Sequence, residues 1–360
     1  MEDSISLNPQ QYRASMPDGG ITLVIAGAGT GKTKTMVRKI KNIIISGHTP
    51  AENILVLTFS NRAAGEIRQR VADETGGIAA GVTAGTFHSF CYGFLKNHGR
   101  KFLADKGYKT LPRVFEDGEQ CELVKSIVQT RLEDFLGFPS KVIMELLETK
   151  NISDRDRKKL AGAGILRALE GVNESLRRHK IANGLIDFED MLDISIELLT
   201  ANEPLRMEMR SRYRYIFVDE YQDTSTNNFQ LLKCLVPDKN ANLFVVGDDW
   251  QSIYGFRDSR VEYIVAMKKY FPGVKTHRLT VNYRSRSEIV KLSSRFIRKN
   301  RFRTSKRLSS YLGKGGTVRA LWVKDFREEV SVIESVIDGV KRQNLEIAIL
   351  YRNNWQGDYI

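Results

Sequence analysis

The stretch that decides the fold is ITLVIAGAGTGKTKTMVRKI, residues 21–40. Its first residues are apolar and β-branched, the pattern of a strand buried on both faces of a parallel sheet. The strand runs straight into AGAGTGKT, residues 26–33, and then into a helical pattern. Strand, glycine-rich turn and helix in that order are what a phosphate-cradling P-loop requires. Glycines let backbone N–H groups converge on phosphates with no Cβ in the way, and the helix N-terminus adds positive potential. The loop therefore comprises Ala26, Gly27, Ala28, Gly29, Thr30, Gly31, Lys32 and Thr33. Lys32 is expected to reach the β- and γ-phosphates, and the Thr33 hydroxyl to hold Mg²⁺. Ala26 replaces the first glycine of the strict pattern, at a position that needs a small residue more than a positive φ. A glycine-rich turn with no ligand is the plainer alternative.

Working outward, similar apolar runs recur at 53–60, 215–220, 242–249, 316–323 and 346–353. Helical stretches separate most of them, which predicts an α/β fold. Ligands in such sheets bind beyond the carboxyl ends of the strands. The run YIFVDEYQDT ends in Asp219 and Glu220. Asp219 suits a magnesium ligand, and Glu220 suits a base that polarises water for attack on a γ-phosphate. A base beside the metal carboxylate points to hydrolysis rather than transfer to another substrate. The next run ends in GDDWQSIYGFRDS, where Gln251 is placed to sense the γ-phosphate. Tyr254, Phe256 and Arg257 follow at once. Aromatic rings with arginine beyond a sheet edge fit either core packing or a platform for stacked bases.

The chain of 360 residues carries a formal net charge of +13. Such an excess fits a polyanionic partner or a solvated basic surface equally well. Residues 298–307, RKNRFRTSKR, read the same two ways. No apolar run reaches the ~18 residues needed to span a bilayer. The first twenty residues lack the basic-then-apolar pattern of a signal peptide. Cys91, Cys121 and Cys234 are far apart with no C-x-x-C spacing, which fits a reducing cytoplasm and argues against a zinc site. From Phe90 to about Ala182 apolar residues fall at helical spacing, predicting a mainly helical insertion between two strands of the first sheet.

Taken together, these motifs resemble superfamily 1 DNA helicases of the UvrD/Rep/PcrA type. LNPQQ (7–11), LTFSNRAAGEIRQRV (57–71), GTFHSF (85–90), VDEYQDT, VGDDWQSIYGFR, LTVNYRSRSEIV (279–290) and AILYRNNWQ (348–356) occur in the family's order. The resemblance implies a P-loop NTPase fold with a RecA-like parallel sheet. It divides the chain into a first motor domain (1–90 plus 183–276), a helical insertion (91–182) and an incomplete second RecA-like domain (277–360). It implies ATP and Mg²⁺ as cofactors, with single-stranded DNA and single-strand/duplex junctions as partners, and no membrane. Gln11 would read the adenine edge, and Tyr283 would stack on the adenine. Arg284 would be an arginine finger on the γ-phosphate, a device worth about 10³–10⁵ in rate where measured. Phe59, Asn61 and His88 would contact single-stranded DNA. Phe256 would stand in for the usual tryptophan, and Arg257, Arg352 and Asn354 would also touch DNA. Lys34, also expected to contact the nucleotide, follows the P-loop where relatives often have arginine, and Trp250 stands where many carry an acidic or polar residue.

Motifs V and VI of the family are not present, so the sequence reads as the N-terminal portion of a longer helicase. The implied activity is ATP-driven 3′–5′ translocation on single-stranded DNA, with unwinding weak or absent for this portion alone. Two rivals stay open: a nucleotide-switched nucleic-acid-binding module without processive movement, and the motor part of a helicase–nuclease. Nothing in the motifs separates DNA from RNA.

Overall fold

The computed structural model describes residues 7–130, 165–237, 241–255, 258–341 and 345–357. Two compact units partition the chain, Met1–Gly313 and Lys314–Ile360.

The first unit is built on a six-stranded sheet in the order β3-β2-β6-β7-β1-β8, with all neighbouring strands parallel. The strands are β1 (Ile21–Ala26), β2 (Ile54–Thr58), β3 (Thr83–Thr86), β6 (Tyr215–Val218), β7 (Leu243–Gly247) and β8 (Lys275–Leu279). Between them, β4 (Arg113–Val114) and β5 (Leu185–Ile186) form a separate two-stranded parallel ribbon. A second small pair joins β9 (Val281–Asn282) to β10 (Ser309–Ser310).

The apolar runs explain the middle of the sheet. Alternate residues of each central strand point to opposite faces. Leu23, Ile25, Leu55, Leu57, Ile216, Val218, Leu243 and Val245 pack into one core. Val24, Ala26, Ile54, Val56, Phe217, Phe244 and Val246 pack into the other. Helices α2 (Lys32–Ile45) and α3 (Asn61–Thr75) bury Met36, Ile40 and Ile67 against that second core. A short helix, α1 (Pro9–Ala14), precedes β1, and α4 (Phe87–His98) packs Phe87, Cys91, Phe94 and Leu95 into the first core.

The helical texture expected after Phe90 is present in α4 and in the helices Arg100–Asp105, Asp117–Thr130 and Ile165–Ala182. The last two enclose a small core of Phe115, Leu176 and Leu185. Buried Lys180 ties this region to the next helix, donating to Asp187 at 2.8 Å and to Asp190 at 2.6 Å. The part of the expected insertion between 131 and 164 lies outside the described residues.

The two strands expected at 316–323 and 346–353 are not formed in the second unit, whose described regular elements are the helices Phe326–Lys341 and Asn354–Gly357. Trp322 is 97% exposed and Leu350 94%. A β-branched run becomes a strand only when a neighbour supplies the ladder, and neither run pairs with one among the described residues.

No helix among the described residues is long and apolar enough to cross a membrane.

Candidate active site

Strands β6, β7 and β1 are adjacent, so the loops leaving their carboxyl ends converge. The P-loop leaves β1 with Gly29 at φ +64° and Gly31 at φ +82°, conformations that L side chains rarely adopt. A Cβ on Gly29 would lie 2.6 Å from the Arg284 Cβ, so the loop after β9 packs directly on the P-loop. Asn282 locks that contact. Its side-chain amide donates to the Ala28 carbonyl at 2.6 Å, and its carbonyl accepts the N–H groups of Arg284 and Ser285. The Tyr283 N–H donates to the Gly29 carbonyl at 2.9 Å.

Gln11, Gly29, Gly31, Lys34, Tyr283 and Arg284 line one cavity of about 350 Å³. Six residues expected around the nucleotide are thus brought together. Gln11 is fixed from both ends: its carbonyl accepts the Asn8 N–H at 3.0 Å, and its amide donates to the Thr30 carbonyl at 2.9 Å. Asn8 also donates to the Tyr283 hydroxyl at 2.8 Å, setting the ring's position.

At the other end of the P-loop, Lys32 meets Glu220 at 2.8 Å. Glu220 sits at φ +47°, in the left-handed region that costs a non-glycine residue energy. Backbone strain of this kind persists where the surroundings enforce it, and it clusters at functional sites. Asp219 is buried and accepts a hydrogen bond from the Glu220 N–H at 2.9 Å. Burial pushes its carboxyl up to about 6, aided by the Glu220 charge and opposed by Lys32 and by hydrogen bonds from Glu220 and the Thr33 side chain. Asp223 is likewise raised to about 6, by burial first and then by Glu220.

From Glu220 a chain of bonds runs to the β7 loop. The Gln222 amide donates to Glu220 Oε2 at 2.8 Å, and its carbonyl accepts the Asp248 N–H at 2.8 Å. The Gln251 amide donates to Asp248 Oδ2 at 2.5 Å. Gly247 makes room for this relay, because a Cβ there would lie 2.6 Å from the Gln222 carbonyl oxygen. Lys306 is buried against Asp248 and donates to Asp249 at 2.9 Å, while Asp249 accepts both the N–H and hydroxyl of Thr304.

The expected strand contacts divide. Phe59 stacks on Tyr254 with ring centroids 5.0 Å apart and planes 23° apart, leaving Phe59 45% exposed. Gln251, Ile253 and Gly255 are exposed, so this part of the loop faces outward. Asn61 is exposed at the start of α3, whose cap is Ser60. His88 packs on a different ring, Phe188 at 5.1 Å, and burial lowers its pKa. Phe256 and Arg257 lie outside the described residues, and Arg352 and Asn354 belong to the second unit.

Sequence reading missed Gln222, Asp248, Asn282 and Lys306. Gln222 and Asp248 stand inside quoted motifs, but their bonds cross between strands. Lys306 is 58 positions from Asp248, with no local signal.

Among the described residues no cluster of three acidic, histidine or cysteine side chains is arranged to hold a metal. The Thr33 hydroxyl beside the buried Asp219 carboxylate is nonetheless a fitting donor set for Mg²⁺, which binds through one or two carboxylates and otherwise keeps water and phosphate oxygens.

Residues 7–272 match the model of the UvrD/REP helicase N-terminal domain, and residues 277–360 that of the UvrD-like helicase C-terminal domain. The chain is 33% identical to the ATP-dependent DNA helicase Rep of Escherichia coli over 97% of its length and 52% of the relative's. It is 32% identical to a probable DNA helicase II homolog of Rickettsia conorii, covering 98% and 54%. It is 29% identical to the ATP-dependent DNA helicase UvrD1 of Mycobacterium bovis, covering 97% and 47%. The chain spans about half the length of these relatives. With its P-loop, strand-end carboxylates and parallel sheet in the matching positions, it belongs to the UvrD/Rep helicase family.

Proposed function

We propose that this chain carries the nucleotide-driven part of an ATP-dependent DNA helicase that moves 3′ to 5′ along single-stranded DNA and engages single-strand/duplex junctions. The single observation behind this is the bonded path Lys32–Glu220–Gln222–Asp248–Gln251, which ends three residues from the exposed Phe59–Tyr254 stack. Gln251, the group placed to feel a terminal phosphate, thus shares one short loop with Tyr254, one ring of a pair suited to a nucleobase.

In this reading the triphosphate lies along the P-loop, with its adenine between Gln11 and Tyr283. Lys32 and Arg284 neutralise the charge that develops on the γ-phosphate, and Gln251 answers to its presence. Glu220 accepts a proton from the attacking water. Mg²⁺, held by Thr33 and Asp219, would supply charge neutralisation on the phosphate oxygens. The Lys32–Glu220 pair keeps both groups aimed at the same place until a phosphate competes for the lysine. Residues 1–90 with 183–276 act as the first motor domain, 91–182 as its insertion and 277–360 as part of the second. Cys91, Cys121 and Cys234 are free thiols, as a cytoplasmic location would require.

Stacking reads no sequence, and each stacked base is worth about 1–3 kcal/mol. The test is ATP hydrolysis with and without oligo-dT, for the wild type and for Phe59→Ala and Tyr254→Ala. The expected result is stimulation by oligo-dT and a loss of about 10-fold or more in DNA affinity for each variant, with unstimulated hydrolysis retained. Equal hydrolysis with and without DNA would leave a nucleotide switch instead of a motor.

A further inference from the structure

After the helix Ser287–Ile297 the chain returns across three loops of the candidate active site in turn. The Thr304 N–H and hydroxyl both donate to Asp249, at 2.6 and 2.7 Å. Lys306 follows, set against Asp248 and Asp249 in the loop after β7. Leu308 comes next, so close to the P-loop that a Cβ on Gly27 would lie 2.5 Å from its side chain. Ser309 and Ser310 then pair with β9, which leads into Tyr283 and Arg284.

Lys306 is the electrostatic centre of this stretch. Asp248 and Asp249 are neighbours in sequence, and their side chains are only 2% and 0% exposed. Carboxylates so placed repel one another, and little water is at hand to spread their charge. The Lys306 ammonium bridges them, donating to Asp248 and, at 2.9 Å, to Asp249. Trp250 packs over the ammonium with its ring centroid 4.9 Å away, and its indole N–H donates to the Thr304 carbonyl at 3.1 Å. The two oxygens of Asp248 are thereby divided. Oδ1 accepts from Lys306 and from the Trp250 N–H, while Oδ2 is left to the Gln251 amide. The carboxylate cannot turn without breaking a charged bond that water does not replace.

We propose that Lys306 is a positioning residue for ATP hydrolysis. By fixing Asp248 it aims Gln251, and by sharing the Asp248 charge it leaves the Gln251 amide able to exchange that carboxylate for the γ-phosphate. The proposal rests on the reading of Gln251 as the group that answers to the γ-phosphate. Lys306 acts only through its neighbours, because its side chain has no exposed surface. Its place between Thr304 and Leu308 also ties the Gln251 loop to the P-loop and, through β10 and β9, to the loop that carries Arg284.

Removing one member of a buried ion cluster strands the others, so the test uses the charge-compensated variant K306M/D249N. Steady-state ATP hydrolysis with saturating oligo-dT is measured for the wild type, K306M/D249N, Q251A and the three-site combination, with thermal unfolding alongside. The expected result is a fall in kcat of about 10- to 100-fold, the scale on which a misplaced group loses rate, with KM for ATP little changed. In the Q251A background the same change should lower kcat no further, because a residue that acts through Gln251 has nothing left to act on. If K306M/D249N does not fold, T304V takes its place. It removes the hydroxyl that shares Asp249 Oδ1 with Lys306, and should lower kcat several-fold, again only where Gln251 is present. The proposal is overturned if the folded variant lowers kcat by the same factor with and without Gln251, or leaves kcat at the wild-type value. A Q251A variant that hydrolyses ATP like the wild type would overturn the reading of Gln251 as well, which separates the two failures.

Discussion

Replacing Glu220 with glutamine should reduce ATP hydrolysis by about 10²–10⁴, the usual contribution of a positioned general base, while leaving nucleotide binding intact. The amide keeps the shape of the side chain and can still meet Gln222, but it cannot take a proton from water. The left-handed backbone at Glu220 is what aims the group, and glutamine inherits that backbone. Steady-state hydrolysis with saturating oligo-dT, alongside binding of a non-hydrolysable ATP analogue, measures both halves. A fall of less than about tenfold would remove Glu220 from the chemical step and direct attention to nearby Asp223, whose carboxyl burial pushes up to about 6.

Lys32→Met should act differently. It removes a charge from the phosphates in the ground state and in the transition state alike. Hydrolysis should fall by at least about 10²–10³, the loss typical when one stabilising donor is removed from a developing negative charge, and analogue binding should weaken too. The fold should hardly notice. The Lys32–Glu220 pair is partly open to solvent, with side-chain exposures of 12% and 36%, and such pairs contribute about 1 kcal/mol or less. Thermal unfolding therefore separates lost chemistry from lost structure. A variant that binds the analogue as tightly as the wild type would show that the lysine does not face the phosphates.

The contrast between these two variants follows from what the residues themselves made legible. The P-loop is a local motif: its glycines, lysine and threonine are contiguous, so its conformation and its chemistry can be read together. The four strands β1, β2, β6 and β7 are also plain in the sequence, because each is buried on both faces and must be apolar throughout. The strands that escaped reading, β3 (TAGT) and β8 (KTHRL), are the two edges of the sheet. An edge strand is half solvated, and Lys275, Thr276 and Arg278 of β8 are exposed. The opposite error came at 316–323 and 346–353, where strand-like composition meets no partner strand among the described residues. Composition signals the tendency to extend; pairing is a property of the neighbours.

The candidate site divides along the same line. Asp219 and Glu220 stand at a strand end and announce themselves. Gln222 looks like one more polar residue in the same motif until the fold lays β7 beside β6 and brings Asp248 to its carbonyl. Lys306 is further still, joined to Asp248 and Asp249 only through the return of the chain after the helix Ser287–Ile297. The groups that do chemistry are local; the groups that connect them are not.

That connection is the central claim, and Gln222 is where it is narrowest. The affinity of oligo-dT is to be measured with and without a non-hydrolysable ATP analogue, in the wild type and in Gln222→Leu, with thermal unfolding as a check that both are folded. Nucleotide should change DNA affinity in the wild type by about 5–150-fold, the usual range of coupling between sites. In Gln222→Leu that ratio should fall toward one while each ligand still binds alone. A folded Gln222→Leu that keeps the full wild-type ratio would contradict the account.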